Sequence, residues 1–163
     1  MLIRKADNTQ SDCKLVFNLS NDTVLRANSF NQGEIKYTDH IGWFERTVGD
    51  KNVLFFLVFA DNTEKDFIGQ IRFRRDSEDS TECVISLSIT ERFRGKHIAG
   101  QFMELGIEEM HRNWPHINTV IAEVKDGNIP SNKLFQSEGF ELTSRVNMYG
   151  LKLTKVMGGG VHP

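Results

Sequence analysis

A chain of 163 residues with a net charge of −2 is long enough for one domain with a real core, and it lacks the concentrated basic surface that nucleic-acid binding needs. Hydrophobic residues make up 39% and charged residues 26%, the balance of an ordinary globular protein. The longest apolar run, Val53 to Ala60, is too short to cross a bilayer, so no membrane partner is expected. The opening MLIRKADNTQ has no apolar core of a secretory signal. Cys13 and Cys83 form no spacing motif and read as buried thiols in a reducing compartment, so the expected location is cytoplasmic.

In chain order, Leu2 to Ala6 predicts a short strand. Residues 12–21 carry Leu15, Val16 and Leu19 at helical spacing. A second helix is expected from Thr38 as N-cap, with Asp39 in its first turn, a stripe of Ile41, Phe44 and Val48, and a stop at Gly49. Three strands follow, Val53–Ala60, Phe67–Arg74 and Cys83–Thr90, divided by polar turns that suggest an antiparallel meander. In the middle one, Ile71 and Phe73 alternate with Gln70, Arg72 and Arg74, which reads as one covered and one polar face. Ile85, Leu87 and Ile89 likewise alternate with Val84, Ser86 and Ser88.

A long helix is expected from Lys96 to about Asn113, with Ala99, Met103, Ile107 and Met110 facing a sheet and Pro115 closing the segment. A strand over 117–124, a short helix over 131–137 ended by Gly139, and two strands between Phe140 and about Val156 complete the order. The result is a mixed α/β layout, unlike the regular alternation of a doubly wound dinucleotide fold. Residues 1–157 are expected to form a single domain, with 158–163, which begins on three glycines, as a flexible tail.

The most informative stretch is Arg94-Gly95-Lys96-His97-Ile98-Ala99, a Gly-containing loop between a strand and a helix. Unpaired amides and the positive end of a helix converge there, which suits a phosphorylated group. Beyond it come Asn128, Ser131, Leu134-Phe135 and Gly139-Phe140. The two sets, in this order, resemble the cofactor motifs of the GNAT superfamily of acetyl-CoA-dependent N-acetyltransferases. The first family motif reads Gln or Arg, two residues, Gly, one residue, then Gly or Ala. Arg94 and Ala99 fit it, and His97 stands where Gly is usual; helical angles at His97 would keep its amide in use.

The resemblance implies a mostly antiparallel sheet of six to seven strands splayed into a V, with about four helices and acetyl-CoA as co-substrate. The amides of Arg94, Gly95, Lys96, His97, Ile98, Ala99 and Gly100 would then hold the pyrophosphate, with Arg94 and Lys96 as mobile charge at the rim. Leu87, Ser88 and Ile89 would pair with the pantetheine arm, and Asn128, Ser131 and Phe135 would border it. The amide near Ile89 would polarise the thioester carbonyl. Many relatives carry a Tyr acid where this chain has Phe135, which has no proton to give; Tyr149 is a substitute candidate that reads more readily as a packing residue.

Amine acetylation needs a base, because a protonated amine has no lone pair. Glu123, inside IAEVK, is the candidate, as in relatives that acetylate protein N-termini; its alternative is a polar strand face meeting water or an Arg. The resemblance places acceptor contacts in the segment from Asn28 and Phe30 to His40 and Trp43, although His40 can equally be a surface histidine and Trp43 a packing residue. The segment 29–44 also looks similar to acetyltransferases of bacterial sialic-acid-like sugar synthesis, such as pseudaminic acid pathways. The implied acceptor is therefore a small-molecule amine, preferably an amino sugar and possibly nucleotide-linked. A protein or ribosomal N-terminal amine is the alternative, and an idle acyl-CoA-binding domain the rival class. Arg72, Arg74, Arg75 and Lys65 can attract an anionic acceptor or simply form a solvated face. No metal site is expected, and the protein would be a monomer or homodimer.

Overall fold

Strand β2 (Val53–Phe59) explains the layering. Its run VLFFLVF has no polar side because both of its faces are covered. Leu54, Phe56 and Val58 join one core cluster with Met103, Ile107 and Met110, whereas Phe55, Leu57 and Phe59 join a second with Val16 and Phe44. The computed structural model describes residues 1–30, 32–125, 127–143 and 147–153. The far end of the last expected strand and the tail 158–163 lie outside the described residues.

Seven strands form one sheet in the order β1-β2-β3-β4-β5-β7-β6: β1 (Leu2–Lys5), β2, β3 (Phe67–Arg74), β4 (Glu82–Ile89), β5 (Thr119–Glu123), β6 (Glu141–Leu142) and β7 (Met148–Lys152). The expected meander is present, with β1 to β4 antiparallel, and among the described residues only β4 and β5 run parallel. That parallel step is the crossover through helix α4 (Ala99–Asn113), which buries Phe102, Met103, Ile107 and Met110 on one face of the sheet. Gly106 lets α4 approach closely, since a Cβ there would run into Ile71. Helix α5 (Ile129–Ser137) follows β5. Among the described residues, no helix is long and apolar enough to cross a membrane. Both cysteines are free and buried, and burial pushes the Cys83 thiol up to about 12.

The other face carries α1 (Gln10–Ser20), α2 (Thr23–Ala27) and α3 (Tyr37–Val48). Thr9 caps α1 by accepting from the Asp12 amide at 3.2 Å. Asp12 in turn accepts two 2.8 Å bonds from Arg4 and one from the Asp7 amide. Burial works against its charge, but those donors outweigh burial and leave its carboxyl below the usual value.

Several elements depart from the sequence reading. Helix α2 adds to the expected set, so that among the described residues five α-helices flank the sheet. Helix α3 begins at Tyr37 behind Lys36, and it buries His40 and Phe44 while Ile41 is exposed. His40 turns inward because its Nε2–H donates to the Cys13 carbonyl at 2.9 Å, and α1 covers it. Burial, with the Arg72 charge beside it, favours the neutral imidazole. Helix α4 begins three residues later than expected. Finally, the polar side of β3 is solvated only at its Arg74 end: Gln70 is 3% exposed and Arg72 is half-buried under α3.

Candidate active site

The site begins where two strands part. Strands β4 and β5 pair from Glu82↔Thr119 to Ile85↔Ala122 and no further, although β3 stays paired with β4 up to Gly69↔Ile89. The last stretch of β4 therefore has a partner on one side only. Antiparallel pairs alternate between hydrogen-bonded and open. The Thr90 amide donates to the Ile68 carbonyl at 2.8 Å, which makes the neighbouring pairs Gly69↔Ile89 and Ile71↔Leu87 open ones. The amides of Leu87 and Ile89 consequently point into the fork. Beyond Ile85, β5 has left, so these are preorganised donors on an open strand edge.

One end of that edge leads into the 94–100 turn. Gly95 sits at φ +70° and His97 at φ +58°. The helical backbone expected at His97 is thus not found; the position is left-handed, which is why Gly is usual there. Two left-handed residues so close together also explain the late start of α4, whose N-cap is Ile98. Ile98 has no polar side chain to cap the helix, so no N-cap side chain competes with an anion for the first-turn amides. A Cβ at Gly100 would collide with the Glu138 carboxylate.

Arg94 is not mobile rim charge. Its Nε donates to the Ile89 carbonyl at 2.9 Å and its Nη2 lies 3.1 Å from Asp22, the N-cap of α2. Arg94 therefore holds the turn against both β4 and α2. Lys96 is exposed, with its Nζ 5.8 Å over the Phe93 ring.

A backbone role for His97 has a consequence that coenzyme A titration calorimetry can check. His97→Val should weaken binding about tenfold, because a β-branched residue pays roughly 1–2 kcal/mol more in this conformation, whereas His97→Gly should keep affinity. Equal loss in both variants would assign the role to the imidazole.

On the α1–α3 side, the fork widens into a cavity of about 810 Å³. Leu87, Ser88, Glu123, Asn128, Ser131 and Phe135 line it, as do Asn28, Phe30 and Trp43. His40 does not: it is buried against Phe44 of the second core cluster, and its expected acceptor contact is corrected to a packing role. Ile89 and the 94–100 turn lie along the edge beyond the cavity.

Glu123 is exposed rather than desolvated. Val120, Ala122 and Val124 face the core under α4, so Glu123 points to the opposite side, into the cavity. Asn128 Oδ1 accepts from the Ser131 amide at 3.3 Å and caps α5, so this motif Asn shapes the wall it lines. Phe135 packs edge-on against Phe140 at 5.0 Å. Tyr149 is buried, and its hydroxyl donates to Asn132 Oδ1 at 2.6 Å, in keeping with a packing residue.

Sequence reasoning missed Gln70, Arg46, Asp50 and Lys125, which also line the cavity. Only the alternation of β3 could have found Gln70. Lys125 Nζ donates to the Ala27 carbonyl at 3.2 Å and ties β5 to α2 across the fork. Among the described residues there is no metal-ligating cluster.

A family model described as an acetyltransferase (GNAT) domain matches residues 1–141. No curated protein matches the chain. Among solved structures, a spermidine N-acetyltransferase from Vibrio cholerae, in complex with CoA and spermine, superposes with a TM-score of 0.81 at 13% identity, over 93% of this chain and 94% of that one. A domain from Methanocaldococcus jannaschii gives 0.75 at 23% identity, over 93% and 97%. A ribosomal-protein-alanine N-acetyltransferase from Brucella melitensis gives 0.71 at 20%, over 94% and 100%. At these identities the likeness is one of fold; the family rests on the sequence match.

Proposed function

We propose, on the premise that this chain belongs to the GNAT acetyltransferase family and takes its acetyl group from acetyl-CoA, that it delivers the group to the primary amine of an amino sugar. The observation that carries the reading is the open edge of β4, whose Leu87 and Ile89 amides face a fork with Glu123 on its other lip. The residues present fit the co-substrate: two strand amides suit an amide-bearing arm, and the uncapped start of α4 suits a pyrophosphate.

Bound acetyl-CoA supplies an activated acyl thioester. The Ile89 amide would donate to the thioester oxygen, a role supported by its direction into the fork. Glu123 takes the proton that the amine must lose, directly or through water. Phe135 offers no proton, and a thiol of ordinary acidity, near 8.5 for roughly a Cys-like thiol, can leave as thiolate. No cysteine serves as an acyl carrier, since both are buried.

The amino-sugar preference is supported by the likeness of segment 29–44 to sugar acetyltransferases and by the polar floor of the cavity. Acetyl transfer should be assayed on UDP-4-amino sugars, the free amino sugars, spermine and peptides with N-terminal Ala. Turnover of the sugars is expected. Acetylation of the peptides or spermine alone would overturn the preference, and tight acetyl-CoA binding without turnover of any amine would favour an idle binding domain.

A further inference from the structure

The floor of the acceptor cavity is a polar ladder. Gln70, Arg72 and Arg74 project from β3 on the same side as Ser88, Ser86 and Val84, their partners on β4. The chain as a whole carries −2, yet the cavity is lined by Arg26, Arg46, Arg72, Arg74 and Lys125 against only Asp50 and Glu123.

Arg72 is the centre of this charge. Its guanidinium carbon lies 4.9 Å from the Trp43 ring centre and 5.4 Å from that of Phe55. One Nη reaches Ser86 Oγ at 3.4 Å, and buried Nε has no partner. Among the described residues no carboxylate pairs with it, and the charge that bears on it is the like charge of Arg74. Burial first, and then Arg74, pull Arg72 down to about 10. Gln70, next on the ladder, is 3% exposed and its Oε1 also lacks a partner. Enclosing an unpaired cation in this way is costly unless an anion arrives to meet it.

We propose that Arg72 and Arg74 form a phosphate-binding subsite for the acceptor, separate from the start of α4, so that the true acceptor carries a phosphate or diphosphate on the sugar. This rests on reading the cavity as the acceptor site. The flat guanidinium fork held between rings is suited to bidentate contact with an oxyanion. Strand rise sets neighbouring rungs of the ladder roughly 7 Å apart, so an amine beside Gln70 and Ser88 puts the anion about one sugar ring away, at Arg72. A polyamine would bring several positive charges to the same floor and be repelled.

UDP is the probe, titrated by calorimetry into protein saturated with coenzyme A, alongside kcat/KM for free and UDP-linked amino sugars. UDP should bind without displacing coenzyme A, and the linked sugar should be preferred. Arg72→Gln should weaken UDP by about 10–100-fold, the loss of charged hydrogen bonds. Arg74→Gln, at an exposed position that folding does not depend on, should shrink the preference for the linked sugar by about tenfold.

Competition of UDP with coenzyme A, or equal kcat/KM for the two sugars, overturns the subsite while leaving an amino-sugar acceptor standing. UDP binding that is lost in Arg74→Gln, with no sugar acetylated, supports the subsite and defeats the sugar.

Discussion

Glu123→Gln should lower kcat by about 10²–10⁴-fold, the range typical of a lost general base, while coenzyme A affinity stays nearly constant. Glutamine keeps the shape and the polar contacts of the side chain and removes only its ability to accept a proton. The donor contacts lie elsewhere, on the β4 edge and at the start of α4, which is why affinity should hold. The placement of Glu123 follows from strand alternation. Its neighbours Ala122 and Val124 are buried under α4, so the carboxylate has to project into the cavity at the point where β5 parts from β4. An unchanged kcat in Glu123→Gln would remove the residue from the mechanism.

Much of this was legible in the sequence because it depends on local periodicity. The alternation of β4, the run of β2 and the stripe of α4 each state which side is covered, and the hexad marks the turn before α4. What escaped depended on distant partners. His40 is polar by type, and only the Cys13 carbonyl, 27 residues earlier in the chain, makes it an inward residue. The four-residue step from His40 to Phe44 then fixes the rotation of α3 and turns Ile41 outward.

Arg72 has the same lesson. An arginine on the polar side of a strand reads as solvated, but α3 closes over it with Trp43, and the ring of Phe55 from the next strand completes the enclosure. Helix α2 is five residues long, too short to show periodicity, and its only signal was Asp22 as an N-cap. The left-handed angle at His97 is set by the need to bring the turn back from β4 into α4, which composition does not encode.

Gly69→Ala should be the most damaging single-methyl change near the site. Gly69 pairs with Ile89, and a Cβ there would run into the Ser88 carbonyl oxygen and lie 3.0 Å from Ile89 Cα and 3.1 Å from the Ser88 carbonyl carbon. All three are backbone atoms, which cannot swing aside as a side chain can. On its far side this stretch of β4 has no strand to brace it, so the added methyl should push Ser88 and Ile89 into the fork. That moves the Ile89 amide and narrows the path of the pantetheine arm. Overpacking of this kind costs about 1–3 kcal/mol, a fall in Tm of roughly 2–12 °C for a domain of this size. A displacement of about 1 Å at a reacting centre can cost on the order of a hundredfold in rate, so kcat/KM for acetyl-CoA should fall by up to that amount. Gly106→Ala is the control: its Cβ meets only the Ile71 side chain, on the α4 face, so stability should drop with far less effect on kcat/KM. If Gly69→Ala keeps the wild-type Tm and kcat/KM, β4 can slide past β3 without consequence, and the width of the fork must be set by β5 instead.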